Sequence, residues 1–193
     1  MKILKTLLSI LILFVVLISC NQKKQSESIE TNKLPEIMKV DSLLSNAETL
    51  VGDTIVVDGV CSHICSHGGK RIFLMGNDDT KTIRIEEGDK IGSFSREALH
   101  NTVEVKGILV EQRIDEAYLA EWEAELEAQT AEKHGDGESG CVNEQKAQNE
   151  KPANTEQERI NNFRERIAER NEKEGKNYLS FYFIEATEYK IKK

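Results

Sequence analysis

The chain has 193 residues, with 26 Lys and Arg against 34 Asp and Glu, a formal net charge of -8 at pH 7. So acidic a balance argues against a general phosphate-binding surface, because nucleic-acid affinity rests on cationic neutralisation and counterion release. The length suits one domain with a substantial core, or a small domain carrying an elaborate insertion.

Residues 1–20 read MKILKTLLSILILFVVLISC, with Lys2 and Lys5 ahead of an unbroken apolar run from Leu7 to Ile18. This is the pattern of a secretory signal, and the apolar run is short for a membrane-spanning helix. Its end, Leu17-Ile18-Ser19-Cys20, resembles the lipobox of bacterial lipoproteins. The resemblance implies cleavage after residue 19, acylation of Cys20 (diacylglycerol, with palmitate as a typical chain), and a place in the bacterial cell envelope facing periplasm or exterior. Removal of 1–19 takes two lysines and no acids, moving the formal charge from -8 to -10. Residues 20–39 then form a polar tether, and 40–193 the folded domain.

From Asp41, DSLLSNAETLVG offers an N-cap aspartate, leucines at 43, 44 and 50, and a closing glycine, the signs of a short amphipathic helix. The period then becomes two. DTIVVDGV, RIFLMG, TKTIRIEE and NTVEVKGILVE read as four strands, with Ile55 and Val57, then Ile83 and Ile85, sharing faces. A short helix, GSFSREALHN, separates the third from the fourth, and NYLSFYFIEATEYKI supplies a fifth strand some sixty residues later. Between them, Ile114, Tyr118, Trp122 and Leu126, and again Ile160, Phe163 and Ile167, recur at helical spacing. The expected fold is therefore mainly β: a five-stranded OB barrel with an N-terminal helix and a long helical hairpin at about 113–175 between strands four and five.

The hairpin's charge is lopsided: residues 111–138 carry ten acids and two bases, residues 155–175 six acids and five bases. An antiparallel pair would bring Arg159, Arg164, Arg166 and Arg170 near the acidic helix. Tyr118 and Trp122 read as core or docking face rather than as a ligand-stacking pair. Gly59 is the expected bulge of the first strand, which must bend across both halves of the barrel.

LVGDTIVVDGVCSHIC followed by NTVEVKGILVE resembles the small envelope lipoproteins whose OB domain is of the tRNA-anticodon-like kind. The likeness covers about residues 40–112 and the end of the chain, and implies the fold rather than a ligand.

The unusual chemistry is CSHICSHGGK at 61–70. Gly68-Gly69 suggests a two-residue hairpin turn, and strand alternation through it would put Cys61, His63, Cys65 and His67 on one face. A bulge at Gly59 would turn that face outward and Ile64 inward. The outermost pair would be roughly 20 Å apart, so one ion cannot take all four. His134 and Cys141, in KHGDGESGC, lie in the strand 4–5 loop, on the same side of an OB barrel as the strand 1–2 loop.

Three readings stay open: a metal site of thiolates and imidazoles, zinc first and copper second; a disulfide from Cys141 to Cys61 or Cys65; and surface residues without a shared task. The leading expectation is a membrane-anchored OB protein that binds a metal ion through Cys61, His63, Cys65, His67, His134 and Cys141. The alternative is an interaction module with a structural disulfide, docking an envelope protein through its acidic hairpin. Oligonucleotide binding comes third, opposed by charge and location. Only Asp136 and Glu138 could serve as bases beside a catalytic metal, so no enzyme is expected.

Overall fold

The computed structural model describes residues 36–65, 68–78, 80–132, 142–151 and 153–192. In order these form β1 (Ile37–Lys39), α1 (Val40–Leu50), β2 (Thr54–Ile64), β3 (Arg71–Met75), β4 (Thr82–Glu87), a 3-10 turn (Arg96–Ala98), β5 (Thr102–Asp115), α2 (Glu116–Glu132), α3 (Val142–Ala147), α4 (Glu156–Glu174) and β6 (Tyr178–Lys192). Strands β2, β3, β4, β6 and β5 follow one another, and β5 returns to β2 and closes the barrel. The β4–β6 pairing is parallel and the other barrel pairings antiparallel. This is an OB-like barrel, with helices inserted between its fourth and fifth strands.

Alternation builds the core. Ile55, Val57, Ile83, Ile85, Val103 and Val105 point inward and are at most 4 % exposed. The 3-10 turn starts at Ser95, whose side chain accepts from Glu97 N, and plugs one end of the barrel with Phe94 and Ala98. The Tyr189 hydroxyl of β6 accepts from Ser95 N–H at 3.0 Å, and its ring lies 5.1 Å from that of Phe94.

Three local expectations are corrected. Asp41 is not the N-cap of α1: Lys39 occupies that position without a side-chain cap bond, and Asp41 instead accepts from Asn77 N–H at 2.8 Å and pairs with Lys81. Residues 37–39, expected to end the tether, form β1, parallel to β2. Gly59 carries no bulge, since the β2–β5 register runs unbroken from Thr54 to Val60. Glycine is needed there because a Cβ would meet Met75 O at 2.8 Å and the Val40 side chain of α1 at 2.9 Å.

The insertion has its own core. β5 and β6 stay paired from Thr102↔Lys192 to Asp115↔Tyr178, and the far end of this ribbon bears the helices. Ile114 and Leu179 of the ribbon pack with Leu119 of α2 and Ile160, Phe163 and Ile167 of α4. Since β5 runs on to Asp115, Ile114 belongs to a strand and α2 starts late. The buried stripe of α2 therefore includes Leu119, while Tyr118 is 39 % exposed.

Of the four arginines of α4, Arg164 bridges to the acidic helix, at 2.9 Å to Glu116 and 2.8 Å to Glu123. Arg159 pairs with Glu150, Arg166 donates to Gln148 O, and Arg170 bonds Glu174 and Tyr178 O.

Candidate functional site

The Cys/His row does not share one face. In the β2–β3 ladder Cys61 opposes Leu74 and His63 opposes Phe73, so Ser62 is an extra residue and the parity flips there. Cys61 therefore points into the barrel and is fully buried, whereas His63 lies outward with its ring 5.8 Å from that of Phe73. Ile64, beyond the bulge, packs inward against the core. The inward turn of Ile64 is as expected, but it comes from Ser62 instead of Gly59, and too late to turn Cys61 out.

Cys61 is held as a core thiol. Its Sγ lies 3.5 Å from His63 O, its N–H bonds Asn101 O, and its own carbonyl accepts from His100 N–H. It takes part in no disulfide, and burial pushes its thiol up to about 11. A metal-binding or nucleophilic cysteine needs the opposite environment, one that favours thiolate.

Cys65 is half-buried just past the strand, its N–H bonded to Arg71 O at 2.9 Å. Strand pairing ends at Ile64↔Ile72, so the connection spans residues 65–70 and is longer than a two-residue turn at Gly68-Gly69, although both glycines have φ above +60°. Among the described residues no group of three or more His, Cys, Asp or Glu side chains could hold a metal ion. His67, His134, Cys141 and Cys20 lie outside the described residues.

What the structure builds is a cleft of about 540 Å³ between the barrel and the insertion. Its floor is the outward face of β4, β6 and β5, with Arg71 of β3 at one side, and its roof is formed by α2, α3 and α4. Arg84 of β4 crosses the floor, 11 % exposed, with its guanidinium 4.6 Å over the Phe183 ring. It pairs with Glu144 of α3 and donates to Gln112 Oε1 at 3.2 Å. Its Nε lies 3.2 Å from Glu86, an ion-pair distance without hydrogen-bond alignment.

Arg159 of α4 holds the other side. It makes two bonds of 2.7 Å to Glu150, a carboxylate only 2 % exposed, and stacks 5.1 Å over Trp122. The short helix α3 and the residues after it are thus bolted to the barrel through Glu144 and to α4 through Glu150. Bidentate, largely desolvated arginine pairs of this kind fix geometry more than they add stability.

The outer lip remains open. Tyr118 meets Trp122 edge-on at 6.4 Å and receives a bond from Gln112, while Arg71, half exposed, pairs with Glu86 at 3.1 Å. Beyond Tyr118 the exposed surface of α2 presents Glu121 and Glu125. Tyr118 and Trp122 were expected as core or docking face and Arg159 as a partner of the acidic helix, whereas Arg71, Arg84 and Glu144 carried no expectation. For Arg84 the signal available was a charged residue at the outward position between the inward Ile83 and Ile85; Glu144 and Arg159 lie on helices and carried no such signal.

No family model matches the chain and no curated protein matches it. Among solved structures it is similar to a putative aspartyl-tRNA synthetase from Leishmania major Friedlin, at 17 % identity over 45 % of this chain, with a TM-score of 0.28. It is also similar to a DUF3299 family protein from Pseudomonas aeruginosa PAO1, at 10 % identity over 44 % of this chain, again with a TM-score of 0.28. The matched region spans 18 % of the first protein and 86 % of the second. At such scores neither likeness bears on the site.

Proposed function

We propose that the chain is a lipid-anchored, non-catalytic OB-fold module of the bacterial envelope that takes a segment of a partner protein at the cleft between barrel and insertion. The observation that carries this reading is the bolt formed by Arg84 and Glu144, which seats α3 on the outward face of β4, the third barrel strand. That face is where OB barrels ordinarily receive strands of nucleic acid. Here its cations are already held by carboxylates, and with the net charge of -8 this disfavours a polyanion. The open lip offers an aromatic edge at Tyr118 and Trp122 beside Glu86, with Glu121 and Glu125 beyond. These features suit an apolar or aromatic side chain flanked by lysine or arginine.

Anchoring rests on Lys2, Lys5, the apolar run and Leu17-Ile18-Ser19-Cys20. A titration tests the cleft, with Trp122 emission as reporter. Peptides carrying an aromatic residue next to a basic one are expected to give saturable quenching that Tyr118→Ala weakens, and oligodeoxythymidine at low salt to give none. The reverse order overturns the proposal.

A second reading, zinc or copper on imidazole and thiol groups, draws on the outward His63 and the half-buried Cys65, two residues apart at the end of the hairpin. It would be completed by His67, His134 or Cys141 and would not use Cys61. Metal analysis decides it: an ion bound stoichiometrically and retained in Cys61→Ser supports it, and an ion-free chain sinks it.

A further inference from the structure

Five large apolar side chains among the described residues are notably exposed: Ile37, Val51, Leu99, Ile108 and Tyr118. Tyr118 belongs to the cleft above, and Leu99 follows the 3-10 turn. The other three gather at one edge of the barrel. Ile37 of β1 is in register with Val56 of β2, and Thr54, two residues earlier on the same face of β2, is in register with Ile108 of β5. Val51 is brought there by its neighbour Gly52, whose N–H bonds Leu109 O at 2.8 Å.

Beside them runs a groove of about 640 Å³, lined by Ile37, Met38, Leu50, Ile55 and Val56 among others. Ile37, 46 % exposed, lines this groove, and Val51 and Ile108, at 41 % and 39 %, adjoin it through Asp53 and Thr54, so the three are not scattered surface residues.

The place of this edge along the chain says what covers it. β1 is the first described element, so the groove sits where residues 20–36 enter the fold. A polar tether of that length has a coil span of roughly 20–25 Å. If its first residue is acylated, the edge stays within a few nanometres of the bilayer at an effective concentration in the millimolar range.

Among the described residues the groove itself offers no free cation, and the charge contrast lies in the insertion. The groove's own ionic groups are Glu36, Lys39 and Asp53, and Lys39 is paired with Asp58 at 2.7 Å. Six acids, Glu116, Glu121, Glu123, Glu125, Glu127 and Glu132, lie on α2, which starts eight residues beyond Ile108, roughly 26 Å along the strand. An anionic lipid surface would repel that more acidic end, so contact at this edge rests on its apolar side chains and on the tether.

We propose that Ile37, Val51 and Ile108 form a membrane-docking patch: the domain lies with this edge against the lipid headgroups, and the acidic insertion faces away from the bilayer. The patch rests on the reading of Cys20 as a lipid anchor, because three side chains of this size bind a bilayer only weakly without a tether. Docking would set the orientation in which the cleft meets its partner.

The test uses the full chain purified from bacterial membranes and reconstituted in vesicles of phosphatidylethanolamine and phosphatidylglycerol carrying brominated acyl chains. Ile108→Trp and Leu99→Trp are each made in a Trp122→Phe background, and mass spectrometry of the N-terminal peptide reports acylation. The expected result is an acylated Cys20 and quenching several-fold stronger for Ile108→Trp than for Leu99→Trp, reduced to the Leu99→Trp level by adding Ile37→Asp and Val51→Asp.

Equal quenching at the two sites on an acylated chain overturns the patch and leaves the anchor standing. An unacylated Cys20 overturns the anchor and the patch with it. Strong shielding of Ile108→Trp that persists without vesicles assigns the groove to residues 20–35 or to a second copy, and also refutes the lipid surface. Circular dichroism of each variant confirms that the barrel is folded.

Discussion

Arg84 and Glu144 are sixty residues apart in sequence and meet with side-chain exposures of 11 % and 13 %. Removing one member of a well-buried pair strands the other and costs about 3–5 kcal/mol; the residual exposure here, which lets Glu144 rotate towards water, lowers that to about 2–3 kcal/mol for Arg84→Met. Glu144→Gln leaves Arg84 with Gln112 and the nearby Glu86, so its expected cost is about 1–2 kcal/mol. The pair interacts directly, and the double variant should therefore be less damaged than the sum, with a coupling of about 1.5 kcal/mol. In urea, with a slope of about 2 kcal/mol/M, Arg84→Met lowers the midpoint by about 1–1.5 M. Hydrogen exchange over residues 142–150 should accelerate in both single variants. A coupling below about 0.3 kcal/mol, with unchanged exchange in that segment, would show that α3 is not bolted to the barrel and would refute the covered strand face.

Cys61 should resist alkylation at pH 8 in the folded chain and react fully in urea, since burial holds the thiol near 11; rapid labelling of native Cys61 would contradict its inward placement. Glu123 is held down to about 2 by hydrogen bonds first from Arg164 and then from Gln157. A carboxylate with a depressed folded value contributes stability above its unfolded value of about 4.5 and loses it as pH falls towards about 2. The urea midpoint of the wild type should accordingly drop more than that of Glu123→Gln between pH 5 and pH 2.5, and parallel profiles would sink the assignment. Gly59→Ala presses a methyl against Met75 O and Val40, and should cost about 1–3 kcal/mol by thermal unfolding; a neutral result would mean that α1 is not packed across β2.

The barrel was legible because its strands alternate cleanly: Ile55 with Val57, Ile83 with Ile85 and Val103 with Val105 each put two β-branched residues on the core face. α4 was legible for the same reason at period 3.6, through Ile160, Phe163 and Ile167. The orientation of the Cys/His row was not, because the parity of β2 is set at Ser62, and a serine carries no bulge signature. Gly59 misled: it is required by the close approach of α1, a contact between elements that composition does not show. The cleft was half legible. Its aromatics stand at helical spacing, but α3 is only six residues long and is held by Glu144 and Glu150 through partners on β4 and α4. Local sequence carries no trace of such pairings.

Central to the proposed function is the docking of a partner protein at the lip of Tyr118, Trp122 and Glu86. Its most direct measurement is photo-crosslinking in living cells, with benzoylphenylalanine placed at Tyr118 and, as control, at the exposed Glu172 of α4. One discrete protein adduct is expected from position 118, lost when Glu121→Lys and Glu125→Lys reverse the acidic lip, and none from position 172. Equal adducts from the two positions, or an adduct from 118 that persists after the charge reversal, would contradict this placement.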